Sequence, residues 1–161
     1  MMNKGLVIRI MIVVSFFLVS CTVKAQDPVW LKRWEEASTK KPKVLQSKSR
    51  IAPFEEPGTP MVIRGQVFLP NERPAAGVIV HAYHRDINGF DFGDKDRMTS
   101  TWRLQGWAVT DSKGYFEFSS IRPAPDHLGR EGAHIHITLI SETYGKQWAP
   151  TVFLADDPAV T

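Results

Sequence analysis

Two histidines one residue apart, His134 and His136, have the spacing best suited to joint chemistry in this chain. The run Ala133 to Ile140 is rich in β-branched and apolar residues and reads as a strand. Side chains two apart in a strand point the same way, so His134, His136 and Thr138 share one face while Ile135, Ile137 and Leu139 share the other. The apolar face belongs to a core. The histidines lie outside it, with backbones roughly 6–7 Å apart, close enough for both imidazoles to converge on one metal ion. The bland alternative is a polar strand face with no ligand. On another strand-like run His81 and Tyr83 share a face opposite Val80, Ala82 and His84, which leaves His81 either lining a pocket or facing an edge. His127 reads as a ligand, an acid–base group or a solvated loop residue.

The elements that position these residues form a series of short strands punctuated by turns, the pattern of an all-β, two-sheet sandwich. Met61 to Leu69 is strand-like and is followed by the turn residues Pro70 to Pro74. Gly77 to His84 is a second run. Leu104 to Thr110 and Tyr115 to Ile121 flank Asp111-Ser112-Lys113-Gly114, a hairpin signal. Pro150 to Leu154 is a last short strand. Roughly one hundred residues from Met61 onward is enough for a modest core.

Upstream, Lys4 and Arg9 precede an apolar run from Met11 to Val19, which reads as a secretory leader over residues 1–20 and is too short to favour a stable membrane span. Leu18-Val19-Ser20-Cys21 looks like a lipobox, with Cys21 the lipidation site and first mature residue. Val23-Lys24-Ala25 offers a competing, ordinary cleavage site. Both readings export the protein: the first anchors it at the cell envelope by lipid, in the periplasm or at the outer membrane, and the second leaves it secreted. Cys21 is the one cysteine, so neither a disulfide nor thiolate ligation can stabilise the mature domain. Loss of Lys4 and Arg9 lowers the formal charge from +3 to 3 − 2 = +1. Only Lys32 to Arg50 is enriched in basic residues. Interrupted by Pro42 and several serines, it reads as part of a solvated tether over residues 21–60, with a short helix near Val29 to Ala37, and no nucleic-acid partner is expected.

Several pieces, in order, resemble the intradiol ring-cleavage dioxygenases, in particular their small secreted members. They are Ile63-Arg64-Gly65-Gln66-Val67, Gly77 through Gly89, Leu104 through Asp111, Gly114 through Phe118, Ile121-Arg122-Pro123-Ala124-Pro125, Ala133-His134-Ile135-His136, and Trp148 through Pro158. The likeness covers residues 60–158. It implies a sandwich of that family's type and a non-haem ferric iron held by the His-x-His pair and two tyrosines. It also implies cleavage of a catechol-type aromatic between its two hydroxylated carbons with O2.

The departures matter as much. Asp91 stands where the family's first ligand tyrosine is expected, after Gly89, and Asp126 stands at the second, after Pro125. The tyrosines present, Tyr83, Tyr115 and Tyr144, occupy other slots and read as packing or rim residues. Two readings follow. In one, His134, His136, Asp91 and Asp126 form a two-His, two-carboxylate site suited to Fe(II) or another divalent metal. In the other, both aspartates are ordinary turn residues. The family often has an arginine shortly before the histidine pair to stabilise charge on the opening ring. Arg130 is the candidate for that catalytic role, one residue out of register, with Glu131 at the expected place. Family chains usually continue past the Asp-Asp-Pro segment, so an open sheet edge here would invite a homodimer. An oxygenase and a catalytically altered envelope module that binds a metal or ligand are therefore both expected functions.

Overall fold

The computed structural model describes residues 28–93 and 98–158. The leader, Cys21 and its neighbourhood lie outside the described residues. One helix and eight strands follow in the order α1 (Pro28–Thr39), β1 (Lys48–Arg50), β2 (Pro60–Gln66), β3 (Ile79–His84), β4 (Leu104–Val109), β5 (Tyr115–Ile121), β6 (His134–Ser141), β7 (Gly145–Trp148) and β8 (Val152–Phe153). They form the expected sandwich. A three-stranded sheet runs β1-β5-β2, and a five-stranded sheet runs β4-β3-β6-β7 with β8 paired to β6.

The core sits between the sheets and follows from strand alternation. Val80 and Ala82 of β3, Leu104 and Ala108 of β4, Phe116 and Phe118 of β5 and Ile135 of β6 are buried together, with Ile137 and Leu139 packed against them. The inward face of β6 is thus the isoleucine face, as its period of two requires. Gly65 belongs to this fit: a Cβ there would lie 2.4 Å from the Phe116 ring.

Three expectations are corrected. Residues 28–60 are not a tether. α1 docks on the outer face of the larger sheet through Trp30 and Trp34, and β1 pairs in parallel with β5. The flanks of Asp111–Gly114 do not form a hairpin ladder. The tight turn exists, with Asp111 Oδ1 accepting from the Lys113 and Tyr115 amides and Gly114 at φ +78°. Yet β4 pairs with β3 in one sheet and β5 with β2 in the other, so the turn carries the chain between sheets. His81 is no edge residue, because β3 is central and the His81 side chain is fully buried. The larger sheet ends at β7, all of whose residues are exposed.

Candidate functional site

The outer face of β3 and β6, under α1, carries the chemistry. Register places His81 beside Thr138 and Tyr83 beside His136. Because β3 alternates, Arg85 continues the His81–Tyr83 face just beyond the strand end. The His134 and His136 rings stand at 87° with centroids 4.6 Å apart, and their Nε2 atoms approach to 2.9 Å. His134 Nδ1 donates to the Gly132 carbonyl at 2.7 Å, so its Nε2 carries the lone pair that faces His136. Tyr83 stacks on His136 at 4.8 Å and on Trp102 at 4.0 Å. Burial pushes the Tyr83 hydroxyl well above its ordinary range, so it is a neutral phenol.

Next to this pair lies a cation from the protein itself. Arg85, 13% exposed at its side chain, donates from Nε to Asp91 Oδ2 at 3.2 Å and from Nη2 to Glu131 Oε2 at 2.7 Å. The His136 imidazole is pushed down to about 4, first by burial, then by His134 and by the Arg85 charge, so it is neutral at physiological pH. Burial raises the Asp91 carboxyl, and Arg85 opposes that rise. A cleft of about 250 Å³ opens here, lined from the helix by Trp30 and Arg33 and from the sheet side by Tyr83, Arg85, Trp102 and His136.

The predicted site residues therefore separate. His134 and His136 meet. Asp91 lines the same cleft, but its carboxylate is held by Arg85. Asp126 is turned away from the cleft: Oδ2 accepts from Arg130 Nε at 2.9 Å, Oδ1 lies 3.3 Å from His127 Nδ1, and the Arg130 contact holds its carboxyl below the usual range. Arg130, 69% exposed at its side chain, caps Asp126 on the surface and lines no part of the cleft. His127 stacks on Phe90 at 4.5 Å. The four-ligand arrangement of His134, His136, Asp91 and Asp126 is thus not formed, and among the described residues no three His, Cys, Asp or Glu side chains are grouped to hold a metal ion. The ferric centre that the resemblance implies does not fit these donors either. The two phenolate positions hold aspartates committed to arginines, and the one tyrosine at the pair is a buried neutral phenol stacked ring to ring.

The residue that sequence reasoning missed is Arg85. Two signals pointed to it: the alternation His81, Tyr83, Arg85 along one strand face, and an acid, Glu131, where the resemblance calls for an arginine.

The family described as Dioxygenase matches residues 28–160. Catechol 1,2-dioxygenase 1 of Acinetobacter lwoffii is 32% identical over 117 residues, covering 62% of this chain and 37% of that protein. Chlorocatechol 1,2-dioxygenase of Rhodococcus opacus is 28% identical over 107 residues, covering 56% of this chain and 42% of its own length. The chain thus spans less than half of these relatives. Among solved structures, a mercury-inhibited catechol 1,2-dioxygenase from an Acinetobacter species superposes with TM-score 0.60 at 18% identity, covering 83% of this chain and 58% of that one. An intradiol ring-cleavage dioxygenase from Tetranychus urticae gives TM-score 0.56 at 20% identity, covering 71% and 60% respectively. With the sandwich, the strand-borne histidine pair and a family match over nearly all described residues, the chain belongs to the intradiol ring-cleavage dioxygenase family.

Proposed function

We propose that this protein is an altered member of its family that holds a small catechol-type aromatic in the cleft under α1 and does not open the ring. The observation that carries this reading is Arg85, fixed between Asp91 and Glu131 beside the histidine pair. It supplies in guanidinium form the positive charge that a phenolic oxygen would seek in the cleft. His136, neutral, lines the cleft beside it, and Tyr83, Trp102 and Trp30 provide aromatic walls. Titration of the full chain with 4-nitrocatechol, followed by tryptophan fluorescence in excess EDTA, tests it. Saturable quenching that is weakened at least about tenfold in Arg85→Met supports the reading, that loss being what a charge-assisted hydrogen bond supplies. Binding that appears only with added metal overturns it.

A second reading, a divalent-metal oxygenase, is favoured by one feature: the His134 tautomer is fixed by Gly132 so that its lone pair faces His136. Metal analysis of the purified protein separates the two, because this reading requires close to one metal per chain. The leader-like run and Cys21 support, on our reading, a location at the cell envelope. Cys21→Ser should then release it from the membrane fraction. Unchanged fractionation would remove the lipid anchor.

A further inference from the structure

The floor beneath α1 is polar where a permanently buried interface would be apolar. His81 and Thr138 are each fully buried, and register makes His81 the cross-strand neighbour of both Trp107 and Thr138. Gln105 fixes the chemistry of this row. Its Nε2 donates to the Trp102 carbonyl at 2.7 Å, so its Oε1 accepts from His81 Nε2–H at 3.0 Å and leaves His81 Nδ1 with a bare lone pair. That nitrogen, Thr138 Oγ1, Trp107 Nε1 and, from the helix, Trp34 Nε1 are all buried with no hydrogen-bond partner among the described residues. Each such atom costs about 1–3 kcal/mol relative to hydration. Docking of α1 therefore sets a substantial polar penalty against the burial of two tryptophans.

The attachment of the helix matches this balance. Trp30 meets Trp102 and Trp148 edge-on at 5.6 and 4.6 Å, Arg33 lies over Phe92 at 3.5 Å, and Lys146 lies over Trp34 at 3.8 Å. Thr101 Oγ1 donates to the Arg33 carbonyl at 2.8 Å, and Trp30 hydrogen-bonds Tyr83. These are side-chain contacts at a face, with no backbone ladder. A twelve-residue helix is marginal alone, and this one has no acidic residue in its first turn and no basic residue in its last.

We infer that α1 is a lid that undocks as a unit while the sandwich stays closed, uncovering the His81–Thr138 floor together with the Trp30 and Arg33 wall of the His136 cleft. The inference borrows from the proposed function only the use of that cleft, and its test contains no ligand, so a protein that binds no catechol leaves it standing.

Two buried histidines make the test. His81 lies under α1. His84, 1% exposed, lies in the inter-sheet interior with Nε2 on Ser120 Oγ at 2.6 Å. Diethylpyrocarbonate labelling of the full chain, read by mass spectrometry beside amide hydrogen exchange, compares their rates. The lid predicts His81 labelling about tenfold or more faster than His84, with α1 amides exchanging ahead of those in β3. Lys146→Ala, at an exposed edge position, and Thr101→Val should each speed α1 exchange and His81 labelling severalfold and leave His84 unchanged. Equal labelling of the two histidines, with α1 exchanging only alongside β3, overturns the inference.

Discussion

Arg85 decides what the cleft can hold. A guanidinium beside the histidine pair repels a metal cation and occupies Asp91, the one carboxylate among the described residues that lines the cleft. Arg85→Met should therefore raise Zn(II) or Mn(II) affinity at least about tenfold by isothermal titration, since about 1.4 kcal/mol of relieved repulsion is enough. The same change leaves a half-buried carboxylate unpaired and should lower stability by about 2 kcal/mol in urea at pH 8. Unchanged metal affinity in this variant would show that Arg85 is not the barrier. Protonation offers a second test at this scale. Burial holds His81 down to about 4, and burial followed by His134 and Arg85 holds His136 there too. The unfolded chain takes up protons near pH 6.5 that the folded chain refuses until about pH 4. Stability is therefore complete above that window and is lost as pH falls through it, by about 3 kcal/mol for His81 alone. Urea midpoints measured from pH 7 to 4.5 should fall, and His81→Phe should flatten the profile; an identical slope in the variant contradicts this assignment. The histidine pair was legible because a strand has a period of two. Asp126 was not, because an aspartate in a Pro-punctuated loop looks the same whether it faces a metal or, as here, an arginine four residues later.

At the scale of elements, alternation along β3 and β6 made the core and site faces readable, and the turn residues marked most strand ends. Pairing was less legible. Asp111–Gly114 is a sound tight turn, yet local turn chemistry does not state whether the next strand returns beside the last or crosses to the other sheet. β1 and β7, Lys48–Arg50 and Gly145–Trp148, are largely polar and carry no apolar alternation that would signal a strand. The basic stretch before Met61 concealed a β strand because Lys48 and Arg50 reveal pairing with β5 only through register. The loops that present Asp91 and Asp126 meet at Gly89, where φ is +79° and a Cβ would lie 2.3 Å from the Pro125 carbonyl oxygen. Gly89→Ala should cost about 2 kcal/mol or more and lower the melting temperature by several degrees, through both strain and collision. It should also weaken 4-nitrocatechol binding, because both loops must shift. A variant with wild-type melting and binding would show that the loop contact is not what positions Asp91.

Across the whole molecule, one sandwich of the family's architecture carries two strand histidines with Arg85, Asp91 and Glu131 around them. Glu131 comes from the loop before β6, and its cation, Arg85, comes from the end of β3. The fold was legible because turns and alternation are local. The Arg85–Glu131 pair became visible only when two segments 46 residues apart were brought together. The most direct test is oxygen uptake by the full-length protein incubated with iron and catechol. Consumption should be no faster than the iron blank, together with saturable catechol binding in the same preparation. Stoichiometric oxygen consumption with appearance of a ring-opened diacid would contradict it.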